Sequence, residues 1–475
     1  MQLPNAHLIG RRAFLRRGMG LGFLGLAALQ KNDWLLRNAC AAAPVQAGIL
    51  SSLHFPARAK RVIFLYMSGG PSQLETFDNK PELARRNGEP MPESLLKGTP
   101  IAQLQVQSKF NCFAPVFRFK RAGKCGHEMT DIFPHLATVA DDITIVRSMT
   151  TDAINHDPAH SLMNTGTAIS GRPSMGSWIY YGLGAETENL PGFVVLVSNG
   201  KYQPTQPISS RNWSSAFLPA KFEGVQFQNR GDLLPYLSSP HGITDHQQRN
   251  VVEAIKNLQA LNAEATDVEI SARANQYEMA FRLQTSAPEL KDFSKESTST
   301  LKSYGVTAPD GSFAANCLLA RRMAERGVRF IQLFHREWDH HATIESGMRT
   351  TAAEVDQGCA ALIKDLKARD LLKDTLVIWG GEFGRTPMNQ ADGRDHHMRA
   401  FSIWMAGGGI KPGLTYGRTD DLGYSVVENP VHVNDLHATM LHLLGIDHKR
   451  FTVRHQGRDM RLTDVAGKVV TDLIA

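Results

Sequence analysis

Short apolar segments bounded by glycine alternate with amphipathic stretches along most of the chain. Apolar runs of about four to eight residues are typical of buried strands, and longer stretches with a 3.6-residue period indicate helices. The runs predict strands at 61–67, 143–146, 193–197, 328–334, 375–379 and 401–406. The longer stretches predict helices at 131–140, 159–164, 313–326, 343–369 and 433–444. This alternation indicates an α/β domain with a mostly parallel central sheet flanked by helices.

Residues 201–309 interrupt the pattern. Residues 201–243 are rich in proline and resemble a loop, whereas residues 246–283 predict two amphipathic helices. The segment contains no recognisable chemical motif. We therefore expect it to form a partly helical insertion or cap within the same domain.

The positive charge of the chain is concentrated at its amino terminus. The 475 residues carry a formal net charge of +6, but residues 1–41 alone contain six Lys or Arg residues and one acidic residue. The remainder is therefore nearly neutral. Because proteins that bind nucleic acid usually carry a basic patch or stripe, we expect no nucleic-acid partner.

The first residues resemble a twin-arginine export signal. Arg11 and Arg12 precede an apolar stretch at 18–29 that is too short to span a bilayer comfortably, and small residues follow it. We therefore expect residues 1–43 to be a signal peptide for the twin-arginine export machinery. The domain at 58–475 would then act in the periplasm or cell envelope. The alternatives are a basic amphipathic helix and an uncleaved anchor.

Four cysteines follow residue 43, and none of them forms a CxxC pair with another. A zinc finger or a redox motif is therefore not expected. Cys112 and Cys125 could close a loop in an oxidising compartment. Cys317 and Cys359 lie in helical patterns, and we expect them in the core.

Polar residues capable of chemistry lie close to three predicted strands, in each case after the strand's end. The first cluster, His156 and His160, brackets the start of a predicted helix after 143–146. The second, Asp339 and His341, follows 328–334. The third follows 375–379 and contains Glu382, Arg385, Asp395 and His396. Ligands of open α/β sheets bind beyond the carboxyl ends of the strands, so we expect the clusters to converge. Carboxylates with imidazoles suit zinc, manganese or iron better than calcium.

Several short motifs accompany these clusters: Gly69-Gly70-Pro71-Ser72 with Phe77-Asp78, Thr165-Gly166, Trp338-Asp339 with His341, Glu382-Phe383-Gly384-Arg385-Thr386-Pro387, and Gly393-Arg394-Asp395-His396. As a set they resemble the sulfatase-like family known as domain of unknown function 1501, within the alkaline-phosphatase-like superfamily. The resemblance extends from Arg61 almost to the end of the chain. It implies a mixed, mostly parallel sheet flanked by helices, as in sulfatases and alkaline phosphatases.

The chain departs from true sulfatases at the positions that carry their chemistry. His156 stands where their formylglycine-forming cysteine stands, and Phe383 replaces a histidine that binds metal. The aspartate pair that follows the first strand is replaced by Met67-Ser68-Gly69-Gly70. Formylglycine chemistry is therefore not expected, and neither is an intact centre of two metal ions.

The resemblance implies a reduced site with one divalent metal ion, zinc or manganese. Its expected ligands are Asp339, His341, Glu382, Asp395 and His396. His156 and His160 would face the ion as catalytic residues, with His156 acting as a general base or, alternatively, as a covalent nucleophile. The expected anion-binding residues are Arg172 and Arg385.

Two functions remain open from the sequence. The first is an exported metal-dependent hydrolase of sulfate or phosphate esters, with a small-molecule or polysaccharide substrate. The second is a non-catalytic periplasmic or envelope binding protein that kept the fold. In that alternative, Glu382 and Asp395 only form buried salt bridges with Arg385 and Arg394. No motif indicates the substrate or the oligomeric state.

Overall fold

The computed structural model describes residues 47–96, 110–198, 200–201, 208–228 and 286–475, together with isolated residues between 229 and 285. The strands are β1 Arg61–Met67, β2 Phe119–Ala122, β3 His127–Thr130, β4 Ile143–Thr150, β5 Phe193–Ser198, β6 Val225–Phe227, β7 Phe330–His335, β8 Thr375–Gly380, β9 Gly384–Gln390, β10 Gly393–His397, β11 Phe401–Ala406, β12 Thr415–Tyr416, β13 Arg418–Thr419, β14 Val426–Glu428, β15 Val431–His432, β16 Val453–His455 and β17 Arg458–Met460.

The α-helices are α1 Pro81–Arg85, α2 Glu93–Leu96, α3 His156–Thr165, α4 Met175–Leu183, α5 Thr298–Tyr304, α6 Phe313–Glu325, α7 Ile344–Ala368 and α8 Val433–Leu443. Short 3₁₀ helices occupy Gln73–Glu75, Leu136–Asp142, Ser210–Trp213, Ala220–Phe222, Phe293–Lys295, Leu372–Asp374 and Thr471–Leu473.

Within the described residues, the central sheet has nine strands in the order β12-β4-β11-β8-β1-β7-β5-β6, with β15 also paired to β4. Strands β8, β1, β7, β5 and β6 are parallel to one another. Strand β11 is antiparallel to both of its neighbours, β8 and β4. The predicted mostly parallel sheet is confirmed. Because β1 lies between β7 and β8, the carboxyl ends of these three strands meet at one edge of the sheet.

Helices cover both faces of the sheet. From β1, Ile63 and Leu65 pack on one side into a core shared with α6 and α7, whereas Val62 and Phe64 pack on the other side with α3, α4 and α8. A strand that is buried on both faces needs apolar residues at every position. This requirement explains why the predicted strands read as continuous apolar runs.

Most predicted elements agree with the structure, but the helix predicted at 131–140 is wrong. Turns precede a 3₁₀ helix that begins at Leu136. Pro134 cannot donate a helical hydrogen bond, and the backbone N–H groups of His135 and Leu136 both donate to the carboxylate of Asp356 at 2.7 Å. A side chain from α7 thus takes the place of the helical carbonyl partners.

Several expectations fall on residues that are not described. The segment 1–43 lies outside the described residues, and so does nearly all of the helical region predicted at 246–283. Among the residues that are described, no helix has both the length and the apolar character that a membrane crossing requires.

The four cysteines of the described chain are all free thiols. Cys112 is buried and Cys125 is exposed, and they are not bonded to each other. Cys317 and Cys359 are buried in the core between α6 and α7, as predicted.

The hairpin β9–β10 is anchored to the 3₁₀ helix that follows β1 by a buried ion pair. Arg394 Nη2 lies 2.8 Å from Glu75 Oε1, and both side chains are completely buried. Arg394 also donates to the carbonyl oxygens of Thr386, Phe113 and Ala114. These bonds satisfy the guanidinium inside the protein, and they hold in place the strand that carries Asp395 and His396.

We expect that Arg394→Met will lower the free energy of unfolding by about 3–5 kcal/mol, because it leaves the Glu75 carboxylate buried without its partner. Urea titration followed by circular dichroism measures the change. The double variant Glu75→Gln with Arg394→Met should lose less stability than Arg394→Met alone. Equal losses in the two variants would show that the ion pair is not what anchors the hairpin.

Candidate metal centre

The predicted polar clusters come together at the carboxyl ends of β7, β1 and β8. Asp339 and His341 follow β7, Glu382 follows β8, and His396 arrives on the hairpin strand β10. His156 is the first residue of α3, with Asn155 as the N-cap and Gly166 as the left-handed C-cap. The start of α3 and the β9–β10 hairpin thus contribute side chains to this edge of the sheet.

Four side chains form the outer cluster, which we define as His156, Asp339, His341 and His396. Each offers a donor atom, and the four atoms lie within 4.8 Å of one another. Asp339 Oδ1 is 2.9 Å from His341 Nε2 and 3.3 Å from His396 Nε2. The two Nε2 atoms are 3.0 Å apart.

The opposite ring nitrogens of the two histidines face acceptors. His396 Nδ1 lies 2.8 Å from the carbonyl oxygen of Ile154, and His341 Nδ1 contacts Gln390 Oε1. Oxygen acceptors of this kind require Nδ1 to carry the hydrogen, so a neutral ring presents the Nε2 lone pair to the cluster. Burial also lowers the pKa of His396, to about 4.

The outer cluster therefore needs a positive charge at its centre. Two Nε2 lone pairs and one carboxylate oxygen point at the same place, and these groups repel one another unless a cation lies between them. Arg385 supplies positive charge at Asp339 from one side, and a metal ion bound between the Nε2 atoms would supply it at the centre. Three imidazoles and one carboxylate form a donor set suited to zinc, manganese or iron, so the residues present fit such an ion.

His156 bridges the two carboxylates of the site. Its Nδ1 lies 2.7 Å from Glu382 Oε1, and its Nε2 lies 3.2 Å from Asp339 Oδ2. Burial disfavours the imidazolium, but its contacts with Asp339 and Glu382 outweigh that cost and raise the pKa of His156 to about 9. Burial alone would raise the pKa of Asp339, yet Arg385 and the surrounding histidines hold it well below its ordinary value.

Three further side chains lie behind His156, and we define them as the inner group: Glu382, His160 and Tyr66. His156 itself is a member of the outer cluster and contacts the inner group. Glu382 is completely buried and accepts the Gly69 N–H at 2.9 Å. His160 Nδ1 is 2.7 Å from the Tyr66 hydroxyl, and His160 Nε2 is 3.6 Å from Glu382 Oε1. Burial lowers the pKa of His160 and thereby favours its neutral form.

The remaining predicted site residues have other surroundings. Asp395 accepts the His396 N–H at 2.8 Å and lies 4.0 Å from His341 Nδ1, outside both groups of converging donor atoms in the described chain. Arg385 is buried and donates to Asp339 at 2.5 Å and to the carbonyl oxygen of Gly70 at 2.9 Å. Arg172 Nη1 is 2.8 Å from the sulfur of Met460, and within the described residues it contacts no member of either group.

Sequence reasoning missed two side chains of the site, Tyr66 and Gln390. Tyr66 lies within the apolar run of β1, where it resembles a core residue, and Gln390 lies in a polar stretch. Gly69 supplies only a backbone N–H. Phe383 packs its ring 5.0 Å from the His156 ring and 4.5 Å from the His396 ring. It therefore forms an apolar wall beside both imidazoles.

The imidazoles and carboxylates at the carboxyl ends of these parallel strands lie where open α/β sheets generally bind their ligands. The chain belongs to the family described as Protein of unknown function (DUF1501), whose model matches residues 59–474. No curated protein matches the chain.

The chain also resembles solved structures at low identity. A protein in the alkaline phosphatase superfamily from Vibrio parahaemolyticus is 10% identical, with 83% of this chain and 68% of that chain covered and a TM-score of 0.34. PsFucS1 sulfatase from Pseudoalteromonas sp. is 10% identical, with 82% and 68% covered and a TM-score of 0.32. Phosphonate monoester hydrolase SpPMH from Silicibacter pomeroyi is 13% identical, with 81% and 73% covered and a TM-score of 0.31. These values transfer no residue role, so the chemistry is argued from this chain's own side chains.

The pH dependence of stability should report the bridging position of His156. Because the folded pKa of His156 lies above its ordinary value of 6.5, the stabilisation is fully present below pH 6.5 and is lost as the pH rises through about 9. In protein treated with a chelator, we expect the free energy of unfolding to fall across this range by on the order of 3 kcal/mol. Denaturant titrations at a series of pH values measure the slope. His156→Gln should remove it, and an unchanged slope in that variant would contradict the assignment.

Proposed function

We propose that the protein is a metal-dependent hydrolase of sulfate or phosphate esters. The outer cluster would hold one divalent ion, zinc or manganese, through Asp339, His341, His396 and the Nε2 atom of His156. The observation that carries the proposal is the convergence of two imidazole Nε2 atoms and one carboxylate oxygen, a donor set that suits a divalent ion.

A divalent ion at this place would polarise an ester oxygen or lower the pKa of a bound water. The side chains of His156, Asp339 and His341 are 19%, 16% and 21% exposed, respectively, so a small ligand can reach the cluster from solvent. Phe383 excludes water on one side of the imidazoles, whereas Arg385 fixes the orientation of Asp339. We assign His156 as a donor to the ion and His160, which is almost completely buried, as a support for Glu382.

The proposal includes export. Residues 1–43 would direct the folded chain through the twin-arginine machinery to the periplasm or cell envelope. Export of folded protein suits a domain that acquires its metal ion beforehand. The substrate would be a small-molecule or polysaccharide ester, and Arg385, which is buried and bonded to Asp339, would act on it only through that carboxylate.

A second function, a non-catalytic binding protein, is favoured by the charge balance of the site. Arg385 and a protonated His156 together offset the negative charges of Asp339 and Glu382. The buried charges can therefore be neutralised without a metal ion. Metal content and catalytic turnover separate the two functions.

We expect the folded protein purified from cells to contain about one equivalent of zinc or manganese by elemental mass spectrometry. Asp339→Asn should lose the metal, because it removes the carboxylate that faces both Nε2 atoms. Asp459→Asn, which changes an exposed carboxylate paired with Arg454, should retain it. Wild-type protein with no transition metal, and no loss of thermal stability on chelation, would contradict the metal centre.

The hydrolase function predicts that metal-loaded protein cleaves 4-nitrophenyl phosphate or 4-nitrophenyl sulfate, with turnover that follows metal occupancy. His156→Ala should lower kcat/KM by about a hundredfold, because it misplaces the ion relative to the ester. His455→Ala, which changes a histidine stacked on Phe217, is the control. Full metal occupancy without turnover on a panel of such esters would favour the binding protein.

A further inference from the structure

Glu382 differs from Asp339, the other carboxylate of the site, in the hydrogen bonds that its oxygens accept from the protein. We propose that Glu382 is a positioning residue: it holds one tautomer and one orientation of the His156 ring and affects the metal ion only through that ring. The inference rests on the proposed metal site, and it assigns Glu382 a role other than the ligand role expected from the sequence.

Both oxygens of Glu382 are occupied by donors from the protein. Oε1 lies 2.7 Å from His156 Nδ1 and 2.9 Å from the Gly69 N–H. Oε2 lies 3.3 Å from the same N–H and 3.4 Å from the Tyr66 hydroxyl, which can donate to it. The side chain is completely buried. An ion bound directly by Oε1 would compete with the two short bonds that this oxygen accepts, from His156 and from Gly69.

The His156 ring separates Glu382 from the centre of the outer cluster. With Nδ1 directed at Glu382, Nε2 is the nitrogen that faces Asp339, at 3.2 Å. Among the described residues, Glu382 groups with His156 and His160 but not with His341 or His396. An ion at the Nε2 side of His156 therefore lies across the ring from the Glu382 carboxylate.

This arrangement has a chemical consequence. A carboxylate that accepts the Nδ1–H of a histidine fixes the tautomer in which Nε2 carries the lone pair, and it makes that nitrogen a stronger donor. The position of His156 at the first residue of α3, with Phe383 against its ring, restricts the remaining rotation. Loss of such an outer partner typically weakens metal binding about 10- to 100-fold.

A double-mutant cycle on the full chain tests the inference. Zn²⁺ is titrated calorimetrically into chelator-treated wild type, Glu382→Gln, His156→Ala and the double variant. We expect Glu382→Gln to weaken Zn²⁺ binding about 10- to 100-fold while the stoichiometry is unchanged. In the His156→Ala background, Glu382→Gln should cause no further loss, because the ring through which it acts is gone.

A loss of affinity from Glu382→Gln that persists in the His156→Ala background would overturn the inference, since it would make Glu382 a direct ligand. Wild type that binds no Zn²⁺ would instead overturn the proposed metal site itself. Glu354→Gln is the matched control, because Glu354 also pairs with a buried imidazole, that of His335 at 3.1 Å, outside the site. It should leave the affinity unchanged.

A second measurement serves if Glu382→Gln does not fold. Glu382→Asp keeps the charge but shortens the side chain, so its reach to His156 is reduced. The visible absorption of bound Co²⁺ reports the number of ligands. We expect Glu382→Asp to keep the wild-type band intensity at saturation but to require more Co²⁺ to reach it. A change of band intensity at saturation would show that the ligand set includes Glu382.

Discussion

Two carboxylates at the ends of two parallel strands dominate the structure of this site, Glu382 completely buried and Asp339 partly buried. Asp339 follows β7 and Glu382 follows β8, on either side of β1. A charge removed from water is costly unless it is paired and hydrogen-bonded. Arg385 pairs with Asp339, and His156 contacts both carboxylates. The positions of α3, the β9–β10 hairpin and the turn after β1 all serve to supply these partners.

The turn after β1 brings backbone unusually close to the site. Gly69 has a φ of +121°, and a Cβ at this residue would lie 2.5 Å from the backbone nitrogen of Asp339. No other residue fits there without displacing the strand end. Because the side chain is absent, the Gly69 N–H reaches Glu382, and its carbonyl oxygen reaches Arg385. One glycine thus bonds Glu382 directly and Asp339 through Arg385.

The outer cluster and the inner group differ in exposure and in hydrogen bonding. The outer cluster is partly exposed and rich in nitrogen donors, whereas the inner group is buried and bonded internally. Phe383 lies against His156 and His396. Apolar packing therefore adjoins the nitrogen donors of the outer cluster on one side. This arrangement is consistent with a single ion.

The sequence by itself determined the strands, most of the helices and the residue types at the strand ends. Strands buried on both faces need continuous apolar runs, and that pattern is local. Tertiary structure decided which atoms meet. His156 and Glu382 are 226 residues apart, so no local pattern reveals that one holds the other. The failed helix at 131–140 has the same cause: Asp356, more than two hundred residues away, binds the N–H groups that a helix would have used.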